Sequence, residues 1–155
     1  MDLKIAAVGR LRTGPELDLV EDYLARIGKI GRSVGIGSAS IQEVEAKKGG
    51  MAAEGALLSK AVQSAKPVIV LDERGQILTS VEFAAKLGDW RDQGFSEAAF
   101  VIGGADGIDP CLRGKADMVL SFGKMVWPHM LVRVMLAEQL YRATSILVGT
   151  PYHRV

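Results

Sequence analysis

A chain of 155 residues is long enough for one domain with a single buried core and short for two. With 48% hydrophobic and 24% charged residues it is globular rather than disordered. A formal net charge of +1 excludes the strong positive field of a protein that coats nucleic acid indiscriminately, so any RNA contact must be local.

The single cysteine, Cys111, cannot form an intrachain disulfide, and no Cys/His spacing resembles a zinc site. No apolar run approaches the length of a bilayer span. A soluble, cytoplasmic protein with no metal and no membrane partner is expected. From Leu120 to the end, Lys124, Arg133, Arg142 and Arg154 stand against the single acid Glu138, so the basic end is the C-terminal one. A surface fluctuation explains that asymmetry about as well as a nucleic-acid site does.

In chain order, the apolar run Leu3 to Val8 reads as a first strand closed by Gly9. Pro15 suits the first turn of a helix reaching about Ile30, since its missing N–H would be unpaired there anyway. A second strand, weakly marked because of Gly35 and Gly37, is expected between Val34 and Val44. Lys47 to Gly50 form a charged turn, and the Ala/Leu-rich stretch from Met51 to Ala65 has helical composition ended by Pro67. Val68 to Leu71 is a continuous apolar run, as in a strand covered on both faces, and stops at Asp72-Glu73-Arg74-Gly75. Thr79 followed three residues later by Glu82 is a capping box for a helix from Ser80 to about Trp90. Ala98 to Ile102 is another buried-type strand running into Gly103-Gly104-Ala105-Asp106-Gly107, and Met118 to Ser121 is a last short one.

The final element starts at Pro128 and runs to Val148, where Gly149 and Pro151 stop it. At 100° per residue Arg133 and Arg142 lie on opposite sides, with apolar residues on both flanks. Such a helix must be packed on more than one side, and a second copy of the chain is a candidate for one of them. Strands alternating with helices imply an α/β fold, a mainly parallel sheet with helices on both faces, in one domain over residues 1–155.

Three loops follow strand C-terminal ends: Leu71 to Gly75, Gly103 to Gly107, and Phe122 to Pro128. In an open parallel sheet ligands bind there, and the glycines let a ligand approach the backbone closely. An isolated Gly-Gly is more often only a tight turn. Walker and dinucleotide fingerprints are missing: no GxxxxGK[ST] occurs, and Ile102 blocks a GxGxxG ending at Gly107. His129 follows Pro128 at a helix start, and Tyr152, His153 and Arg154 bring together groups suited to stacking, proton transfer and anion contact. Terminal tails are usually frayed, and Arg142 has a structural alternative in a helix-face ion pair with Glu138. Met125, Met130 and Met135 are expected to fill the core, and Trp127 and Tyr141 suit either core or base stacking.

LDERG at 71–75, FVIGGADG at 100–107, WPHMLVRVMLAEQLYRA and the closing PYHR closely resemble the RlmH family of ribosomal RNA large-subunit methyltransferases. The similarity extends to the opening AVGRLR and the EDYLARI helix, so it spans essentially the whole chain. The resemblance implies the SPOUT superfamily, in which the C-terminal segment threads a loop to make a trefoil knot around the cofactor site. It further implies a homodimer that uses S-adenosylmethionine to methylate N3 of a pseudouridine in helix 69 of 23S rRNA, on assembled ribosomes. By position, the implied cofactor residues are Leu71, Asp72, Gly103, Gly104, Gly123, Lys124, Met125, Val126, Trp127 and Pro128. His153, Arg154 and His129 are placed to remove the N3 proton or stabilise the anion, and Arg142 and Tyr152 to orient the base or bind phosphate. Where the family often has Pro-Glu-Gly after the paired glycines, this chain has Ala105-Asp106-Gly107, which keeps the acid and loses the rigid proline. The alternatives are a knotted methyltransferase acting on another nucleotide and a non-catalytic ribosome-assembly factor of the same fold.

Overall fold

The computed structural model describes residues 1–154. Five strands, β1 (Asp2–Val8), β2 (Ala39–Val44), β3 (Val68–Ile77), β4 (Glu97–Ile102) and β5 (Met118–Ser121), form one sheet in the order β2-β1-β4-β3-β5. Each neighbouring pair is parallel. Five helices connect or follow them: α1 (Pro15–Ile30), α2 (Gly50–Ala61), α3 (Ser80–Asp92), α4 (Pro110–Lys115) and α5 (His129–Val148). The expected α/β class, with helices on both faces of the sheet, is what the chain adopts.

Alternation along the strands builds the two layers. Side chains of successive strand residues point to opposite faces, so Leu3, Ile5 and Ala7 join Phe100, Val20, Ile27, Phe83, Leu87, Leu136 and Leu140 in a core under α1, α3 and α5. Ala6 and Val8 join Val70, Ala99, Val101, Leu58, Ile108 and Leu112 under α2 and α4. Each fully buried Leu, Ile or Phe contributes about 1.5–3 kcal/mol relative to an exposed one, and the central strands β1, β3 and β4 supply both faces at once.

Several boundaries differ from the sequence expectation for identifiable reasons. The second strand begins at Ala39, because residues 31–34 make a 3₁₀ turn that Gly35 closes in the left-handed region at φ 74°. Asp2 then holds the approach to β2, accepting from the amide of Ser38 at 2.7 Å. The helix expected to reach Ala65 ends at Ala61, and a turn takes the chain to Pro67. The third strand does not stop at Leu71. It shifts register between Leu71 and Gln76 and pairs again with Leu120 and Ser121, carrying Asp72 to Gly75 along the sheet edge. A β-carbon at Gly75 would lie 2.6 Å from the carbonyl oxygen of Val119, so only glycine permits that approach. The short helix α4 was not anticipated, although Asp109 and Pro110 signal it: Pro110 occupies the first turn and Asp109 Oδ1 accepts from the amides of Cys111 (2.8 Å) and Leu112 (3.3 Å).

The capping box forms as read. The amide of Glu82 donates to Thr79 Oγ1 at 3.2 Å, and the amide of Thr79 donates to Glu82 Oε2 at 2.7 Å. Helix α5 is covered on two flanks, as its pattern required, but both covers belong to the same chain. Tyr141 meets Tyr23 of α1 with ring centroids 5.9 Å apart, and Gln139 Oε1 accepts from Ser80 Oγ of α3 at 2.8 Å. The middle of the helix is therefore covered without a second copy, while Met130 and Leu131 in its first turn stay exposed. Among the described residues no helix is long and apolar enough to cross a membrane, and no cluster of His, Cys, Asp or Glu could hold a metal ion.

Candidate active site

Because all five strands are parallel, the irregular stretch of β3 at Leu71 to Glu73 and the loops after β4 and β5 reach one edge, and there they enclose a cleft of ≈ 120 Å³ open to solvent at its mouth. Leu71, Ile102, Ile108, Leu120 and Val132 form an apolar floor, and Met125, Val126 and Trp127 form one wall. The opposite wall is backbone. A β-carbon at Gly103 would stand 2.5 Å from the carbonyl oxygen of Gly107, and one at Gly104 would stand 3.0 Å from the carboxylate of Glu54. The glycines thus let two turns of chain pack together and leave bare peptide facing the cleft. Gly123 takes φ 117°, a conformation that L side chains rarely adopt.

Asp72 and Glu73 bring carboxylates to the cleft. The side chain of Asp72 is only 6% exposed, and its oxygens are taken up by Arg113 Nη1 at 3.2 Å, Arg74 Nε at 3.3 Å and the amide of Arg74 at 2.9 Å. It fixes the bend of β3 more than it offers a free acceptor. Ser121 does the same for the next loop, since its hydroxyl donates to the carbonyl of Gly123 at 2.8 Å and accepts from the Gly123 amide at 3.1 Å.

Leu71, Asp72, Gly103, Gly104, Gly123, Met125, Val126 and Trp127 all line this cleft, together with His129. Pro128 faces an adjoining hollow with Asp106 and Arg74, and Lys124 is an exposed residue of the same loop. Met125 and Met130 do not fill the core: they are 72% and 42% exposed, with Val126 at 81% and Trp127 at 41%. Their spacing suits a helix interior, but they sit on the β5–α5 loop and the outer face of the first turn, where no element of the chain covers them. Sequence reasoning passed over Ile102, Ile108, Leu120, Val132 and Arg113, which carry no signal beyond their apolar or basic character.

The tail residues gather elsewhere. Tyr152 donates from its hydroxyl to Glu138 Oε1 at 3.0 Å and sets its ring against Tyr141, centroids 4.6 Å apart. The Arg142 guanidinium lies 4.8 Å from the centre of the Tyr152 ring, bonds Glu138 through Nε at 3.0 Å, and places Nη1 3.3 Å from His153 Nδ1. The structural alternative for Arg142 is therefore present, and Glu138 also receives Tyr152, a contact that the helix spacing does not signal. Burial first, then Tyr23 and Glu138, raises the Tyr152 phenol well above its ordinary value, and bonding to Glu138 raises the Arg142 guanidinium. Arg154 is exposed. The tail is docked rather than frayed, but His129 and Arg142 are thirteen residues apart on α5, roughly 20 Å at 1.5 Å per residue. One chain does not bring its tail cluster to its own cleft.

Arg133, on the opposite side of α5, is 1% exposed. Its Nη1 bonds Glu43 Oε1 at 3.0 Å, and its Nη2 donates to the carbonyls of Val8 and, at 2.9 Å, Gly9. Burial lowers its proton affinity and Glu43 partly restores it.

A family model described as "Predicted SPOUT methyltransferase" matches residues 1–153. The chain is 62% identical to the ribosomal RNA large subunit methyltransferase H of Paracoccus denitrificans, over 99% of both chains. It is 60% identical to the same-named protein of Ruegeria pomeroyi, over 100% of both. Among solved structures, a methylase family protein from Haemophilus influenzae Rd KW20 superposes with a TM-score of 0.55 at 10% identity, covering 99% of this chain and 70% of the other. A methyltransferase from Bordetella pertussis Tohama I does so with 0.51 at 10% identity, covering 92% and 95%. At such identities these two resemblances concern the fold alone.

Proposed function

This chain belongs to the SPOUT methyltransferases and, within them, to the ribosomal RNA large subunit methyltransferase H family, and on that premise we propose that it methylates N3 of a pseudouridine in helix 69 of 23S rRNA, on assembled ribosomes. S-adenosylmethionine supplies the methyl group: the S–CH₃ bond breaks with its electrons left on sulfur, a C–N3 bond forms, and the N3 proton leaves to a base. The observation that carries this reading is the cleft itself, where the loops after β4 and β5 offer bare glycine backbone and the bend of β3 completes an apolar floor beside His129. Leu71, Leu120 and Val132 would offer such a donor its apolar contacts, and the backbone at Gly103, Gly104 and Gly123 its polar ones. Threading of the C-terminal segment through a loop belongs to the same reading.

In-line methyl transfer asks the protein for alignment and exclusion of water more than for bond-making. Met125, Val126 and Trp127 serve that end as a wall over the cleft. The imide proton must also be removed or the resulting anion stabilised, and His153, Arg154, Arg142 and Tyr152 suit the task only where they can reach a cleft. Because the tail of a chain lies roughly 20 Å along α5 from its own His129, we assign that contribution to a second copy. A two-fold axis near Met135, midway between His129 and Arg142, would set each tail against the other cleft and cover Trp127, Met130 and Leu131, which one chain leaves exposed.

Ribosomes from cells lacking the protein, treated with purified protein and S-adenosylmethionine, test the reading. Methylation of the helix 69 pseudouridine at N3, far faster on assembled particles than on bare 23S rRNA, is expected. A methyl group on another nucleotide would overturn the site assignment, and binding to particles without any transfer would favour an assembly factor.

A further inference from the structure

Resting on that reading, we propose that two neighbouring loops, residues 9–13 and 45–49, form the surface that grips the sugar-phosphate backbone of the substrate RNA through Arg10, Arg12, Lys47 and Lys48. The loops follow β1 and β2 and therefore leave the sheet on the same edge as the cleft. β1 pairs directly with β4, so the first loop stands one strand away from Gly103, about 4.8 Å in the sheet direction. A β-carbon at Gly104 would lie 3.1 Å from Val8 Cγ1, which shows how closely the end of β1 abuts the loop after β4.

All four cations are exposed, and among the described residues none of them forms an ion pair. Their placement runs against the electrostatics of the fold. Cations stabilise helix C-termini and are unfavourable near N-termini. Lys29, Lys60, Arg91, Arg113 and Lys115 follow that rule, each in the last turn of its helix. Arg10, Arg12, Lys47 and Lys48 break it, coming just before the first turns of α1 and α2. Folding gains nothing from them there, whereas an approaching polyanion meets four cations at once.

The loops are also held in place from beneath. Glu43 Oε1 accepts from the amide of Leu11 at 2.7 Å and from Arg133 Nη1 at 3.0 Å, Arg133 Nη2 reaches the carbonyl of Gly9 at 2.9 Å, and the amide of Gly9 donates to Val44 at 2.8 Å. Leu11 is buried between the two exposed arginines. A fully buried arginine costs desolvation, and here it fixes the segment that carries Arg10 and Arg12. Of the nearby acids, Glu43 belongs to this clamp, Glu16 and Asp18 sit in the first turn of α1 where the helix favours them, Glu54 lies against Gly104 with Oε2 buried, and Glu45 adjoins the lysines.

Arginine and lysine contacts to phosphate fix position and carry no base information. The surface therefore supplies affinity and register, while the cleft and tail supply chemistry. It also relocates the basic end expected from the sequence, since Arg133 and Arg142 of that end are engaged with Glu43 and Glu138.

The test compares wild type with the double variant Lys47→Ala/Lys48→Ala and the quadruple variant that adds Arg10→Ala and Arg12→Ala. KM for unmodified ribosomes is measured across potassium chloride concentrations, binding to bare 23S rRNA without turnover, and S-adenosylmethionine affinity by calorimetry. The salt slope should fall by about 0.7–0.9 per cation removed, KM at low salt should rise about tenfold or more, and S-adenosylmethionine affinity should stay within twofold. An unchanged slope and KM, with wild type active, would overturn the proposal and leave the methyltransferase reading intact. Loss on ribosomes with unchanged binding to bare 23S rRNA would overturn it in favour of an acidic ribosomal protein as the partner. If wild type transfers no methyl group, the reading beneath the proposal fails, and the slope for binding to 23S rRNA still decides the surface.

Discussion

The hydroxyl of Tyr152 donates to Glu138 Oε1 at 3.0 Å, tying the last residues of the chain to the third turn of α5. A segment that composition marks as a frayed tail is thereby held in one place, with Arg142 and His153 fixed beside it. Because the tail lies beyond the helix stop at Gly149, its loss should remove little from the core. Replacing His153 or Arg154 with alanine should lower turnover on ribosomes by about ten- to ten-thousand-fold, the usual range for proton-transfer or electrostatic groups. Melting temperature and S-adenosylmethionine affinity should stay near wild type. Full methylation by a chain ending at Pro151 would refute the tail's part and leave His129 as the remaining imidazole.

The same contact sets a pH dependence. The phenol of Tyr152 is held neutral, its proton affinity raised by burial first and then by Tyr23 and Glu138. A group whose folded value is raised contributes stability in full below its unfolded value, about 10 for tyrosine, and loses it as pH rises beyond that. Tail docking should therefore persist to about pH 10 and weaken above it, with hydrogen exchange at Thr150 to Arg154 as the measure. In Tyr152→Phe the exchange should be faster at neutral pH and lack this alkaline step. An alkaline step of equal size in Tyr152→Phe would show that another group controls the tail.

Gly103 admits no side chain without displacing Gly107. Gly103→Ala should open the turn that walls the cleft and weaken S-adenosylmethionine binding about tenfold or more, since overpacking of this kind costs about 1–3 kcal/mol. Circular dichroism should keep its native form. Wild-type affinity in calorimetry would mean that the cofactor lies elsewhere.

Arg133 and Glu43 should prove coupled. Arg133→Met leaves a carboxylate and two strand-end carbonyls without their donor, and breaking a buried pair from one side costs about 3–5 kcal/mol. Arg133→Met/Glu43→Gln should recover part of that loss, because the uncompensated charge is gone. Additive destabilisation in urea denaturation would contradict the clamp.

Thr79→Ala removes the cap acceptor of α3, a side chain that does not line the cleft. It should cost about 1 kcal/mol, roughly 2–4 °C in melting temperature for a chain of this size, with methylation unaffected. A melting temperature equal to wild type would show that the capping box is energetically idle.

What the sequence determined by itself were features written in short spacings. Apolar runs marked the cores of β1, β3 and β4, Thr79 and Glu82 marked a helix start that forms as read, Glu138 and Arg142 marked an ion pair that is present, and the segments at 71–75, 103–107 and 122–128 do converge on one cleft. Each of these depends on neighbours within about one turn or one strand, where residue type fixes backbone geometry and reach. Tertiary structure decided the rest. Arg133 reads as a surface residue until Glu43, 90 positions away, is packed beside it. The extension of β3 depends on β5 lying against Gly75, and the exposure of Met125 and Met130 depends on no element of the chain covering them. Whether a charge is spent or free is likewise set by what packs next to it, so two of the four cations of an apparent basic C-terminus became ion pairs, while Arg10, Arg12, Lys47 and Lys48 stand exposed on loops nearer the start of the sequence.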